Sequence, residues 1–374
     1  MKNYILVIVI VLIMVMGTLN ANTDFVGTFT IKNPSSTIIA LGYESGAAYI
    51  WNNNPLNSWS NPALLAYCKG LSWVSSGELY YSMDHKNPDM YSSYISYAND
   101  YFTLLVPMVN TNYKFGTTFK YNSSSYYYYN DDESDSYKET CSRFSIACKL
   151  TKIIFQKIAP TINDKFEISV GYDLKYVTSN VPPIILGEAD ASGYMHGVGL
   201  VGLIKPLRII TTKVSRFDLD ITGGIYTMNV TKNNLSNDTY TYPLPYGTRM
   251  GFGGKFSIMP FNENVVNYLS PFKIKGTFSI SYIYGNSKYA DNPSSWGHGI
   301  EVGLFNTIFL RRGYYKNDLR NYSGHTFGLG VGVHLMRYFY FEYNYTEYPD
   351  DTDDNARKND FTVSVDLMKV FKKK

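Results

Sequence analysis

Side chains able to carry acid–base, nucleophilic or metal chemistry are few in this chain and poorly spaced for it. The five histidines, His85, His196, His298, His325 and His334, show no i, i+4 pair or other ligand spacing. Asp350, Asp351, Asp353 and Asp354 crowd one polar stretch, and hard divalent cations favour clustered carboxylates. The same composition describes a solvated loop, which is the reading adopted. Gly328, Gly330 and Gly332 form a ladder inside a strand-like run with no helix after it, so it is not a dinucleotide fingerprint. Glycine at every second position instead opens one strand face to the approach of another backbone. His334 continues that face, where a hydrogen-bonded structural role is expected. Lys273 and Lys275 share a face in another run; they either attract carboxylates in an enclosed space or pair with Asp218 or Asp220. Cys68, Cys141 and Cys148 fit neither a disulfide framework nor a zinc site. In one extended strand Cys141 and Cys148 would stand about 23 Å apart, too far to bridge. All three read as small packing residues. No cofactor, no metal and no nucleophile–base pair is legible, so the chain is not expected to be an enzyme.

The elements that would position these residues are strands. Period-two alternation recurs from about residue 70 to the end. Phe166, Ile168, Val170, Tyr172, Leu174 and Tyr176 interleave with Glu167, Ser169, Gly171, Asp173 and Lys175. Phe217, Leu219 and Ile221 alternate with Asp218, Asp220 and Thr222. Ile274, Phe278, Ile280, Tyr282 and Tyr284 turn away from Lys273, Lys275, Thr277, Ser279 and Ser281. Nearer the C-terminus, Phe327 to Leu335, Phe339 to Tyr345 and Phe361 to Leu367 repeat the pattern. Counting weaker runs, about 14 strands are expected.

Alternation alone does not separate a soluble sandwich from a membrane barrel, because only the side that is buried differs. Three features favour the barrel. Runs of about ten residues suit a tilted crossing of the hydrocarbon layer. The polar face is rich in Gly, Ser and Thr with scattered charge, as a lumen requires. Aromatics crowd the strand ends, as at Tyr338 to Phe341, where an interfacial girdle would lie. The 36 tyrosines fit the same picture, since a ring with a polar tip suits both a lipid boundary and a wet interior. The expected fold is an all-β, antiparallel, up-and-down transmembrane barrel over residues 71–374. Short turns such as Met336-Arg337 would alternate with longer loops, among them Ser123 to Ser136 and Thr346 to Asn359. A net charge of +3, spread in short patches, gives no nucleic-acid surface.

Residues 1–21 read as an export signal, with Lys2, the apolar run Ile5 to Met16 and the small residues leading to Ala21. The apolar run is shorter than the roughly 20 residues that cross a bilayer as a helix, and no lipoprotein cysteine follows. Residues 22–70 differ from the strands. They hold Gly42, Gly46, Ala47 and Ala48, an Asn/Pro-rich run from Trp51 to Pro62, then Ala63 to Ala66. Asn61-Pro62-Ala63 reads as a turn, because a residue before proline avoids helical torsions. A compact irregular segment is expected, not barrel wall.

The stretch Gly46-Ala47-Ala48, then Ser60 to Ala66, then Lys69-Gly70-Leu71-Ser72, resembles the start of PorV/PorQ-type outer-membrane proteins, relatives of the FadL long-chain fatty-acid transporters. Leu244 to Gly251, Gly299 to Tyr314 and the terminal hairpin from Phe327 to Leu367 are also similar. His196 stands where the family pattern has an aspartate, and the chain runs past Phe371 into three lysines instead of ending on the aromatic. The resemblance implies a barrel of about 14 strands with residues 22–70 folded inside as a hatch, shaped by Gly46, Asn61, Pro62 and Ala63. The lumen-facing candidates are Lys273, Lys275, Gly328, Gly330, Gly332 and His334. It implies passage of hydrophobic, fatty-acid-like molecules, or alternatively a docking role in protein secretion or surface attachment. A structural or adhesive surface protein is the third reading. Expected partners are outer-membrane lipids, the barrel-assembly machinery and either a hydrophobic small molecule or a secreted protein.

Overall fold

The computed structural model describes residues 33–79, 89–99, 101–107, 117–122, 136–155, 165–179, 191–205, 215–236, 241–260, 277–289, 295–317, 322–335, 338–349, 355–367 and 370. The export signal, His85, most of the Ser123 to Ser136 loop, Lys273, Lys275, Met336-Arg337 and Asp350 to Asp354 lie outside the described residues.

The alternating runs form strands. In chain order they are β1 (Gly70–Leu79), β2 (Asp89–Ala98), β3 (Phe102–Pro107), β4 (Thr117–Asn122), β5 (Ser136–Lys149), β6 (Phe166–Ser179), β7 (Ala191–Ile204), β8 (Ser215–Met228), β9 (Asn234–Ser236), β10 (Thr241–Pro243), β11 (Gly247–Pro260), β12 (Phe278–Tyr289), β13 (Ser295–Leu304), β14 (Ile308–Asn317), β15 (Tyr322–Leu335), β16 (Phe339–Pro349) and β17 (Asn355–Val365). Each pairs antiparallel with its neighbours, and β17 returns to pair with β1 from Leu71↔Val365 to Leu79↔Arg357, which closes the sheet. β3 and β4 share one place between β2 and β5. β9 and β10 form a short hairpin that prolongs β8 and β11. The result is a closed antiparallel barrel of 14 strands.

The distribution of side chains decides what kind of barrel this is. Inward positions carry Ser72, Ser96, Arg143, Asp173, Lys175, Thr222, Glu301, Arg311, Glu342, Asn344, Asp360 and Thr362, all nearly fully buried. Outward positions carry Trp73, Ile146, Val198, Ile221, Phe252, Ile280, Ile300, Leu310, Phe327, Leu329 and Val331, all exposed. A water-soluble domain has the reverse arrangement, because burying apolar surface drives its folding. Towards the longer loops the outer face turns aromatic. Tyr172 bonds His196 Nδ1 at 2.6 Å, Tyr176 packs on Tyr194, and Trp296, His298, Tyr314 and His325 adjoin one another across three strands. Tyr340, by contrast, turns inward and donates to Glu342 Oε2 at 2.6 Å, so it belongs to the lumen and not to a girdle.

Residues 33–69 are not wall. They form α1 (Ser36–Ala40) and three short 3-10 helices, η1 (Tyr43–Ala48), η2 (Pro55–Trp59) and η3 (Pro62–Tyr67). Ser35 caps α1, while Asn54 and Asn61 cap η2 and η3 ahead of a proline, a position suited to the fixed proline φ. These pieces pack on inward side chains around the barrel: α1 on β14 to β17, η1 on β8 and β11 to β14, η2 on β1, and η3 on β3, β5, β6 and β7. A second short helix, α2 (Leu150–Phe155), follows β5 at the end that carries the tight turns; the alternation had given no sign of it.

Leu329 lies mid-strand on the outer face, opposite Leu310 and Tyr345. Replacing it with arginine should destabilise the lipid-embedded barrel by about 2–4 kcal/mol, read from urea unfolding in vesicles. An unchanged midpoint would mean that this face does not meet hydrocarbon.

Candidate functional site

The candidate site is the lumen, and its two sides differ in chemistry. On the β13–β17 side, carboxylates hold the N-terminal segment by hydrogen bonds. Asp360 accepts from Ser36 N at 2.7 Å and from Asn54 Nδ2 at 2.9 Å. Glu342 accepts from Asn52 Nδ2 at 2.6 Å and from Asn344 Nδ2 at 2.8 Å. Glu301 takes Arg311 Nε at 2.7 Å and the Tyr49 hydroxyl at 2.7 Å. Burial first, and then Glu301 beside it, holds the Tyr49 phenol well above its ordinary range, so it stays a donor. Arg311 also donates to Asn344 Oδ1 at 2.7 Å, while its other terminal nitrogen is buried without a hydrogen-bond partner among the described residues.

The β1–β9 side is lined by an apolar cluster. Val74, Tyr94, Leu105, Cys141, Val177, Met195, Tyr226, Met228 and Leu235 from the wall meet Leu56, Trp59 and Leu65 from the N-terminal segment. Under it sits one charged group. Asp173 takes Arg143 Nε at 3.0 Å and the Tyr226 hydroxyl at 3.2 Å, with Lys175 Nζ at 3.8 Å. Arg143 reaches on to Ser58 Oγ and Ser58 O at 3.0 and 2.7 Å. The Lys175 ammonium lies 4.6 Å from the centre of the Trp59 ring, a cation–π distance. A buried pair is retained only when its remaining donors and acceptors are satisfied, and here η2 supplies part of that satisfaction. Cys68 abuts this cluster, and burial pushes its thiol up to about 12, so it is an inert packing group.

Close approach between segment and wall is made possible by glycine. At Gly299 and Gly313 a Cβ would strike the backbone of Leu41 and Gly42, and at Gly171, Gly199 and Gly224 it would strike Pro62-Ala63, the Asn61 side chain and Ala47 O. Gly42 itself has φ +90° and lies against the carbonyls of His298 and Tyr314, so conformation and space both demand glycine there. Asn61 uses the room left by its neighbours in full. Its Oδ1 accepts from Ala63 N at 3.0 Å, and its Nδ2 faces Ala47 O, Leu200 O and Ile225 O at 2.9, 3.1 and 3.2 Å. One side chain thus caps η3 and ties it to β7 and β8.

The residues singled out from sequence fall in different places. Gly46 packs against Ile38 and Ser60 within the segment, and Pro62 and Ala63 lie on Gly171. Of the glycine ladder only Gly328 faces the N-terminal segment, at Ala40. Gly330 makes room for the Arg311 guanidinium and Asn344, and Gly332 for the Tyr340 ring, because inward side chains on β14 and β16 lean over β15. The expectation that all three admit the segment is corrected accordingly. His334 shares their face but sits exposed at its end, its ring 4.6 Å from that of Tyr340. Sequence reasoning missed Arg143, Glu301, Arg311 and Glu342; an isolated charge inside an alternating strand was the only available signal.

No family model matches the chain, and no curated protein matches its sequence. Solved structures of similar fold include the toluene transporter TodX of Pseudomonas putida, 11% identical, with 89% of this chain and 97% of that one covered at a TM-score of 0.41. A FadL homologue of Pseudomonas aeruginosa is 8% identical over 89% and 98% of the two chains, TM-score 0.38. The monoaromatic hydrocarbon channel CymD is 10% identical over 91% and 97%, TM-score 0.38. Identities and scores this low carry neither a family nor a ligand across to this chain.

Two substitutions test the packing. Gly299→Val should unseat Leu41-Gly42, so that residues 33–69 become sensitive to added protease while the wall stays resistant; a wild-type digestion pattern would contradict the seat. Arg143→Met should cost about 3–5 kcal/mol in urea unfolding by stranding Asp173, and Asp173→Leu in the same chain should recover most of it.

Proposed function

We propose that this chain is an exported outer-membrane β-barrel that passes hydrophobic or amphipathic small molecules, with residues 33–69 acting as a hatch. The observation that carries this reading is the apolar lining of one lumen sector, from Val74 through Tyr94, Val177 and Met195 to Leu235, the most extensive of the buried apolar clusters between segment and wall. A water-filled barrel interior is polar; here the cluster packs Leu56, Trp59 and Leu65 of the segment and offers the same apolar surface to a ligand. An alkyl or aryl group entering there replaces the contacts that η2 and η3 now make. The carboxylate bonds of Asp360 and Glu342 to Ser36, Asn52 and Asn54 hold the opposite side of the segment. Ligand entry therefore tilts the hatch about its polar side. The resemblance of the Asn-Pro-Ala stretch to PorV/PorQ-type proteins, relatives of the FadL transporters, is compatible with this reading. The chain's own charged lumen groups bond one another and the segment, which is structural use.

A second reading, a docking barrel for secreted proteins, draws on the PorV/PorQ-like motifs and on an interior already filled by its own chain. Uptake separates the two. In vesicles bearing the full chain, entry of a fluorescent long-chain fatty acid should exceed that in empty vesicles. Val177→Trp with Met195→Trp should lower it about tenfold by filling the sector. Equal entry with and without protein would favour the docking barrel.

A further inference from the structure

On the outer face, one charge lies where the side chains around it are apolar or aromatic. Arg312 projects outward from the middle of β14, exposed, with Leu310 before it and Tyr314 after it on the same face. Its cross-strand partners are Ile300 on β13 and Phe327 on β15. It makes no hydrogen bond or ion pair among the described residues. One step towards the longer loops stand His298, Tyr314 and His325, paired across the same three strands, with ring centres 5.9 and 5.2 Å apart. One step further, Lys316 faces Trp296. The nearest outward carboxylate in that row, Glu347, is two strands away beyond Phe327.

An arginine in a lipid-facing position is costly unless its guanidinium meets an anion or reaches water. Here the band of apolar residues ends at the ring row, so Arg312 lies at the boundary between hydrocarbon and headgroups. A guanidinium forks onto two oxygens of one phosphate, the histidine and tyrosine rings offer further donors at that depth, and Lys316 adds positive charge above. We propose that Arg312, with His298, Tyr314, His325 and Lys316, forms a site on the barrel's outer wall for the phosphate of an anionic lipid headgroup. The charge is complementary, the site opens only sideways into the bilayer, and the apolar residues below it accept acyl chains. The inference rests on the membrane-barrel reading and adds a specific lipid partner to it.

The test titrates the full chain in detergent micelles with a fluorescent phosphatidic acid and, separately, with phosphatidylcholine of the same acyl length. The wild-type chain should prefer phosphatidic acid about tenfold, the difference one charge-assisted hydrogen-bonded pair supplies. Arg312→Gln should abolish the preference, Arg312→Lys should keep part of it, and millimolar inorganic phosphate should not displace the lipid. A preference that survives Arg312→Gln overturns the proposal. So does displacement by inorganic phosphate, which would mark a free-anion site, or a doubling of mass by light scattering that buries Arg312 between two copies. A chain lacking a β-rich circular-dichroism spectrum in micelles overturns the barrel reading, and the lipid site with it; a folded chain without preference overturns the lipid site alone.

Discussion

The pairing of β17 with β1 is the constraint on which the rest of the structure depends. A sheet with a free edge exposes a row of unpaired amides and carbonyls, and hydrocarbon offers them nothing. Once Leu71 to Leu79 meets Val365 to Arg357, each wall strand is paired on both sides, and the outer face is free to be apolar throughout. The inversion of polarity follows from closure. Trp73, Leu329 and Phe327 can stand exposed because no edge beside them invites another chain, and Arg143, Glu301 and Glu342 can stand buried because they find partners on the same or the adjacent strand and in the N-terminal segment.

Closure also creates an interior that must be filled. The N-terminal segment fills it with little regular structure, since residues 33–69 make only short helices, and their unpaired backbone groups need wall partners. Asp360 and Thr326 supply such partners, accepting from Ser36 N at 2.7 Å and donating to Ala40 O at 2.8 Å, while Asn61 satisfies Ala63 N and Ala47 O from within the segment. Wall glycines bring the two backbones into contact, and the carboxylates answer the exposed amides. In the apolar sector the segment is tied by the Arg143–Ser58 bonds, by Ser169 Oγ and Arg249 donating to Ala63 O and Trp59 O, and by the Asn61 contacts, with no carboxylate bonded directly to it among the described residues, so the two sides hold the segment by different chemistry.

Much of the wall was legible in the sequence because a strand announces itself locally. Tyr172, Leu174 and Tyr176 against Asp173 and Lys175 need only period two to be sorted to opposite faces, and the expected number of strands follows from counting such runs. Asn61-Pro62 announced a turn for the same reason, while the cap that Asn61 places on η3 came only with the structure. What was not legible depends on register. Arg143 and Asp173 are thirty residues apart and meet only because β5 and β6 pair with Arg143 opposite Lys175. Gly171, Gly199 and Gly224 look like any strand glycines until β6, β7 and β8 are lined up beneath Ala47 and Asn61. Gly330 and Gly332 misled for the complementary reason: their room is taken by side chains of adjacent strands, which a single strand cannot reveal. The outward setting of Arg312 beside an inward Arg311 is pure parity, visible once the face of either is known.

The most direct measurement is gel mobility of the membrane-extracted chain, unboiled against boiled, after separating inner and outer membranes. A closed barrel resists detergent at room temperature, so the unboiled protein from the outer-membrane fraction should run ahead of the boiled protein as a compact band. A chain found in the soluble or inner-membrane fraction, with one mobility under both conditions, would contradict the closed membrane barrel and every functional reading built on it.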